Sequence, residues 1–153
     1  MRRSLSIKQF KQRKQEKSFD LRRILHGEVE RAIKDSQPYA VVALLPQLLP
    51  GEEVGDLVKL SSEHLREFVR GEDCAGLIAD GVLAIGLSEA DAMSAQVAAH
   101  RVKTDLGLRT QHLRNTIWES GCACLPEDGR SADQLVSAAI DAANNHRRTF
   151  ATW

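Results

Sequence analysis

The sequence predicts an α+β fold in which helices cover a mainly antiparallel sheet. Three features support this class: a continuous apolar run at 39–45, an Asp-Gly dipeptide between two further apolar runs, and amphipathic segments of helical spacing around them. The predicted order is helix, strand, helix, hairpin, helix, strand, helix, which is typical of one layered α+β unit. At 153 residues, 42% of them hydrophobic, the chain has the length of one domain and can bury a sizeable core.

The first predicted helix begins at Phe19 and ends at Gln37. Its apolar residues recur at spacings of three and four, which places them on one face: Leu21, Ile24, Leu25, Val29, Ala32 and Ile33. Gln37 precedes Pro38, and a residue before proline is disfavoured in the helical region. The apolar run 39–45 that follows is typical of a strand buried on both faces.

A second helix and a β-hairpin come next. The spacing of the apolar residues predicts a helix over 54–68, ending near 69–71. The apolar runs 74–79 and 82–87 then flank the dipeptide Asp80-Gly81. A two-residue type I′ turn needs positive φ at both central positions, which Asp-Gly accommodates, so the two runs are expected to form a hairpin.

A third helix is expected to open at Ser88 and Asp91, with Ser88 as its N-cap, because a short hydroxyl side chain can accept a hydrogen bond from the first helical turn. Its apolar residues lie within 92–102. Gly107 is expected to mark the end of this helix, since glycine is the commonest residue just past a helix C-terminus.

The last third of the chain predicts one more strand and one more helix. The strand is expected within 113–123, and the turn 126–129 follows it. Ser131 and Gln134 have the spacing of a capping box, in which the two side chains satisfy backbone N–H groups at a helix start. The final helix is therefore expected to begin there and to run to Asn144.

The charges are divided unevenly along a chain whose net charge is zero. Residues 1–23 carry nine Lys and Arg against two acidic residues, and the remaining 130 residues carry a net charge of −7. We expect a basic leader over 1–18 and a domain over 19–150. The leader could contact nucleic acid, anionic lipid or an acidic protein, or it could be a solvated linker or a helix that continues into the domain.

Charge and apolar content reduce the classes of partner that the chain is expected to have. An acidic body argues against nucleic acid as the main ligand. The leader holds too few apolar residues for a membrane-surface helix, and no run of 18 apolar residues exists that could span a bilayer. The first residues also lack the hydrophobic stretch of a secretory signal. We therefore expect a cytoplasmic protein that neither binds nucleic acid nor inserts into a membrane.

The residues that usually carry chemistry form no recognisable constellation. Cys74, Cys122 and Cys124 are an odd number without CxxC spacing, which indicates reduced thiols. Cys122 and Cys124 would point to the same face of a strand, but no further pair completes a zinc site. The histidines are scattered, and there is no glycine-rich phosphate loop. Composition and spacing alone thus predict no catalytic site, no metal and no cofactor.

From position 69 onward the sequence resembles the second half of a GGDEF domain, the diguanylate cyclase fold. The resemblance covers roughly 19–148 and implies a central, mainly antiparallel sheet of about five strands covered by helices. Four segments carry it: 69–73, which resembles the family's R-x-x-D segment; 79–83, at the signature turn; 121–135, which resembles the late strand, the P-E-D-G turn and the last helix; and Gly55-Asp56, which resembles the start of the second helix.

The departures from the family pattern concern its chemistry. A cyclase holds Mg²⁺ on the phosphates of GTP with carboxylates. Here the acidic pair of the signature turn is replaced by Gly81 and Val82, and 39–47 contains no acidic residue to end the first strand. The substrate loop is shortened to 46–50, and the nearest candidate for the lysine of the last helix is Arg147. We therefore expect a catalytically inactive relative without a metal site.

The resemblance also implies an inhibitory site for cyclic di-GMP. Arg70 and Asp73 match the family's R-x-x-D, and an ungapped count from the signature turn places Arg101 at the family's helix arginine. A guanidinium can donate two parallel hydrogen bonds to guanine O6 and N7, and a carboxylate can accept from guanine N1 and N2. Alternatively, Arg70 and Asp73 serve a helix end and a turn, where such residues are common. A second R-x-x-D occurs at Arg130 and Asp133.

Two hypotheses for function remain open at this point. In the first, a degenerate GGDEF domain is a cyclic di-GMP receptor in which Arg70, Asp73 and Arg101 bind the ligand, and binding regulates a partner protein or a homodimer. In the second, the domain is a nucleotide-independent scaffold for protein–protein contact. An active diguanylate cyclase is the third and least supported hypothesis, because the expected metal ligands are missing.

Overall fold

The chain folds around one antiparallel sheet. The computed structural model describes residues 7–47, 55–69, 73–79, 81–110 and 117–151. Within these ranges there are four helices and four strands: α1 (Ile7–Lys34), β1 (Tyr39–Pro46), α2 (Gly55–Leu65), β2 (Cys74–Ala79), β3 (Val82–Ser88), α3 (Ala92–Thr110), β4 (Trp118–Leu125) and α4 (Ala132–Ala151). The predicted α+β class and the predicted element order are confirmed.

The sheet has the strand order β2-β3-β1-β4, and every neighbouring pair is antiparallel. At one end of the sheet Tyr39 pairs with Ser88 on one side and with Leu125 on the other. All residues of the central strand β1 are buried, as its continuous apolar run predicts. The described ranges contribute four strands, close to the number of about five that the GGDEF resemblance implies.

Helices cover both faces of the sheet. On one face α1 and α4 pack against alternate residues of β1, such as Val41 and Ala43. On the other face α2 and α3 pack against Val42 and Leu44. Because strand side chains alternate between faces, the apolar run of β1 supplies both halves of the core. No helix in the described ranges is long and apolar enough to cross a bilayer.

Helix α1 begins in the predicted leader and ends earlier than expected. It runs without a break from Ile7, so 7–18 are helical and continue into the domain. It ends at Lys34 rather than at Gln37, because Ser36 adopts a left-handed conformation with φ of 53°. The Gln37 N–H then bonds to the Ala32 carbonyl at 2.8 Å, as in a Schellman cap. The division into a leader (1–18) and a domain (19–150) stays a prediction.

The expected boundaries of α3 were wrong at both ends. Asp91, not Ser88, is the N-cap: its Oδ1 accepts a hydrogen bond from the Ser94 N–H at 2.8 Å. Ser88 is instead the last residue of β3, where it pairs with Tyr39. The helix continues past Gly107 to Thr110, which is buried. Pairing with β1 and burial of the last turn therefore outweigh the local signals.

The observed ends of the other helices and strands differ from the predicted ends by a few residues. Helix α2 ends at Leu65, before the predicted 69–71, and β4 extends to Leu125, beyond the predicted 113–123. The Ser131 half of the capping box is confirmed, since Ser131 Oγ accepts from the Gln134 N–H at 3.2 Å. Gln134 Oε1 accepts from the Arg130 N–H at 2.8 Å instead of from the Ser131 N–H, and α4 continues beyond Asn144. In the hairpin Gly81 has a φ of 73°, as the Asp-Gly turn requires, whereas Asp80 lies outside the described residues.

Candidate ligand-binding site

Asp73 lies directly before the edge strand β2, at the end of the sheet where β1 begins. Its Oδ1 accepts a hydrogen bond from the backbone N–H of Ser88, with 3.1 Å between the two atoms. Ser88 ends β3, the strand that pairs with β2, so this bond joins the two strands where their ladder stops. The second carboxylate oxygen has no hydrogen-bond partner among the described residues.

Arg101 is an exposed residue in the middle of α3. The buried stripe of this helix consists of Ala95, Ala99, Val102, Leu106 and Thr110 and faces the sheet. Arg101 lies on the opposite side. Within the described ranges its guanidinium makes no hydrogen bond and no ion pair. The side chain of Arg101 is exposed to solvent.

The three residues of the predicted site are not brought into contact by the described geometry. Arg70 lies outside the residues that the structure describes. Asp73 precedes β2 at one edge of the sheet, while α3, which carries Arg101, packs on β1 and on β4 at the other edge. No hydrogen bond or ion pair joins Asp73 to Arg101 in the described part of the chain. Their joint action on one ligand therefore stays a prediction.

Arg109, which no sequence pattern singled out, joins the turn after α2 to α3. Arg109 Nη1 donates to Glu67 Oε2 at 2.8 Å, its Nε lies 2.7 Å from Asp105 Oδ2, and its guanidinium stacks 5.3 Å from the ring centre of Phe68. The hydrogen bond to Glu67 and the charge of Asp105 raise the pKa of Arg109. The i,i+4 spacing of Asp105 and Arg109 was readable in the sequence. The partner Glu67, 42 residues away, was not.

Strand β1 finishes at the end of the sheet opposite Asp73 and contains no acidic residue. Strand β1 ends in Pro46, and the Gln47 N–H donates to the Ile117 carbonyl at 2.7 Å. Glu119 is the one buried acidic side chain among the described residues. The described ranges hold no group of three or more His, Cys, Asp or Glu side chains close enough to bind a metal ion. The side chain of Arg147 lies outside the described part of the structure.

The thiols of the chain lie in apolar surroundings that suppress their reactivity. Cys122 and Cys124 face the α3 side of the sheet together, as their spacing on a strand predicts. Burial raises the pKa of Cys122 to about 11. The pKa of Cys124 is also raised, mainly by burial and to a smaller extent by the negative charge of Asp128. Burial also raises the pKa of Cys74, whose Sγ lies 3.8 Å from the Tyr39 hydroxyl. These cysteines are therefore protonated at neutral pH and unsuited to act as nucleophiles.

The fold can be compared with solved structures, although no protein-family model and no curated protein sequence matches the chain. The active GGEEF domain of a diguanylate cyclase from Vibrio cholerae has a TM-score of 0.69 at 12% identity, over 82% of this chain and 86% of that domain. The GGDEF domain of DgcB from Caulobacter crescentus, solved in complex with c-di-GMP, has a TM-score of 0.68 at 14% identity, over 82% and 78% of the two chains.

A third similar structure is the FimX GGDEF domain from Pseudomonas aeruginosa, with a TM-score of 0.62 at 18% identity over 86% of each chain. These likenesses cover most of each chain and share one architecture. The chain therefore has the fold of a GGDEF domain, as its sequence predicts. At identities this low, the comparison shows the fold alone.

Proposed function

We propose that this chain is a catalytically inactive GGDEF-like domain that binds cyclic di-GMP and thereby regulates a partner protein. One observation carries the proposal: Asp73, at the R-x-x-D position of the GGDEF pattern, is held at the sheet end by the Ser88 N–H and keeps one carboxylate oxygen free of described partners. The domain would span 19–150, with 1–18 as a basic leader.

The ligand chemistry suits the three proposed residues. Cyclic di-GMP carries two guanines and two phosphates, so it presents acceptor edges, donor edges and negative charge. Arg70 would donate to guanine O6 and N7, while Asp73 would accept from guanine N1 and N2. Arg101 is exposed and has no counter-charge among the described residues. It would take the second arginine position of the site and contact a guanine edge or a phosphate. The DgcB complex is a precedent for this ligand on this fold.

The proposed lack of cyclase activity rests on the missing metal ligands. Phosphoryl transfer with one or two Mg²⁺ ions needs carboxylates that hold the metal on the phosphates of GTP. The signature turn offers Gly81 and Val82 where the family has its acidic pair, and β1 offers only apolar residues and Pro46. Binding of cyclic di-GMP would act as a switch only if the ligand has different affinities for two states of the domain or of its complex.

A nucleotide-independent scaffold is the second candidate function, and the exposed face of α3 favours it. Met93, Val97 and Leu108 are 75%, 55% and 67% exposed, and their spacing places them in line with Arg101 and Thr104 on one side of the helix. Exposed apolar side chains that line up on one helix face are typical of protein contacts. In this alternative, Arg101 would belong to a protein interface instead of a nucleotide site.

The two candidates are separated by calorimetric titration of the whole chain with cyclic di-GMP. A receptor is expected to bind at micromolar concentration or tighter, and Arg70→Ala should abolish the heat. Arg130→Ala is the matched control, because Arg130 is exposed and opens the other R-x-x-D of the sequence. Equal binding by wild type and Arg70→Ala would contradict the proposed site. Incubation with GTP and Mg²⁺ should yield no cyclic di-GMP, and detectable product would overturn the proposed inactivity.

A further inference from the structure

Among the strands that the structure describes, β2 and β4 form the two edges of the sheet. An edge strand presents unpaired backbone N–H and C=O groups to which a further strand can add. Strand β2 is short, with six residues, and its register is interrupted between Leu77 and Ala79, so it is a poor template for pairing. Strand β4 has eight residues and pairs with β1 without a shift in register. The β4 edge is therefore the edge better suited to strand addition.

The backbone groups that face outward from the β4 edge are identified by their hydrogen-bond partners. The carbonyl of Ser120 accepts from His146 Nδ1, with 2.9 Å between the two atoms. Both backbone groups of Cys124 bond to Asp128. Successive residues of an antiparallel strand direct their backbone groups to alternate sides. The groups of Ser120, Cys122 and Cys124 therefore point away from β1.

Asp128 occupies one end of this edge. It lies in the turn after β4, which folds back against the strand: Oδ2 accepts from the Cys124 N–H, and the Asp128 N–H donates to the Cys124 carbonyl, both at 2.8 Å. The carboxylate also places a negative charge beside the strand, and charged side chains are a common means of keeping an edge unpaired. A strand added here would have to displace both hydrogen bonds.

His146 occupies the other end, where helix α4 brings it to the edge. The helix lies directly on β4, since a Cβ at Gly121 would collide with the backbone at Ala139 and Ala143. Three residues after Ala143, less than one turn, the helix presents His146. A carbonyl oxygen only accepts, so Nδ1 carries the proton in the bond to Ser120. His146 is exposed and lies outside the core, so its loss should leave the fold intact.

We propose that Asp128 and His146 close the β4 edge to strand addition, and that without them β4 pairs with β4 of a second copy of this chain. Identical strands can pair antiparallel about a two-fold axis. An axis at Cys122 would place Ser120 of each copy opposite Cys124 of the other. These are the residues whose outward groups the two side chains now occupy, so the edge is self-complementary once they are removed. The inference goes beyond the proposed function and does not depend on nucleotide binding.

The test is sedimentation velocity of the whole chain over a range of concentrations in reducing buffer. Wild type is compared with Asp128→Ala, His146→Ala and the double variant. Asp133→Ala combined with His100→Ala is the matched control, because these exposed residues of the same types lie on the first turn of α4 and on α3. We expect the dimer dissociation constant of the double variant to be at least about tenfold lower than that of wild type, and the control to match wild type.

Hydrogen exchange distinguishes strand addition from aggregation of partly unfolded chains. Pairing should protect the outward amide of Cys122, whereas unfolding would speed exchange throughout β1 as well. Asp128→Asn should behave as wild type, because its amide oxygen can still accept from the Cys124 N–H. His146→Ala leaves the turn at Asp128 unchanged, so a role for the edge can be tested even if Asp128→Ala does not fold.

Three results would each overturn the inference. These are wild-type sedimentation of His146→Ala and of the folded double variant, equal association of the control, and association without protection of the Cys122 amide. Each leaves the proposed function untouched, because that function is tested by titration with cyclic di-GMP. Conversely, a chain that does not bind cyclic di-GMP can still have a β4 edge closed by Asp128 and His146.

Discussion

The carboxylate of Asp73 accepts a hydrogen bond from the backbone N–H of Ser88, with 3.1 Å between the two atoms. Asp73 precedes β2, and Ser88 ends β3, so the bond closes the open end of this strand pair. The same side chain occupies the acidic position of the R-x-x-D motif. One carboxylate is therefore assigned two roles, a structural role through Oδ1 and a proposed ligand-binding role through its second oxygen.

Asp73→Asn should separate the two roles. The amide oxygen can still accept the Ser88 N–H, so we expect the free energy of unfolding to stay within about 0.5 kcal/mol of wild type. The NH₂ group cannot accept from guanine, so cyclic di-GMP affinity should fall at least about tenfold. Asp73→Ala also removes the bond to Ser88 and should cost about 1 kcal/mol of stability. Urea unfolding and titration measure both effects, and undiminished binding in Asp73→Asn would exclude this carboxylate from the site.

Gly86→Ala should destabilise the fold by about 1–3 kcal/mol, because a methyl group there has no room. A Cβ at Gly86 would collide with the Tyr39 hydroxyl and would lie 2.6 Å from Leu25 Cδ2 and 2.8 Å from Cys74 Sγ. Gly27→Ala is the control, because Gly27 is exposed on α1 and a Cβ added there would have no atom within 4 Å. This variant should gain about 1 kcal/mol of stability from helix propensity. Urea unfolding of both variants tests the packing of α1 on the sheet, which equal stabilities would contradict.

The stability of the domain should fall in alkaline solution as the buried thiols ionise. Burial raises the pKa of Cys122 from its ordinary value of 9.0 to about 11, so between these pH values the folded chain retains a proton that the unfolded chain loses. The unfolded state is then favoured as pH rises through this window. Cys122→Ala removes this titration and should flatten the dependence of unfolding free energy on pH. An identical pH dependence in wild type and variant would contradict the burial of this thiol.

Local sequence signals were sufficient to predict those elements that depend on residues a few positions apart. The buried strand β1, the turn at Gly81 and the N-cap at Ser131 were predicted correctly, because strand burial, positive φ and N-capping depend on neighbouring residues. These elements, with the spacing of apolar residues on the helices, were enough to predict the fold class.

Local signals failed where contacts between distant residues decide the outcome. Ser88 and Asp91 are both good capping residues, and the pairing of Ser88 with Tyr39 on β1 leaves the cap to Asp91. Gly107 does not end α3, because a further turn buries Thr110. The burial of this turn offsets the cost of about 1 kcal/mol for a glycine inside a helix. In the candidate site the contact of Arg109 with Glu67 depends on the packing of two helices, which no local pattern encodes.

Titration of the whole chain with cyclic di-GMP is the measurement that tests the central claim most directly. We expect saturable binding at micromolar concentration or tighter, lost in Arg70→Ala and retained in Arg130→Ala. Absence of binding heat from the folded wild-type chain at high concentration would contradict the receptor function. The exposed face of α3, with Met93, Val97 and Leu108, would then be the better starting point for a function in protein contact.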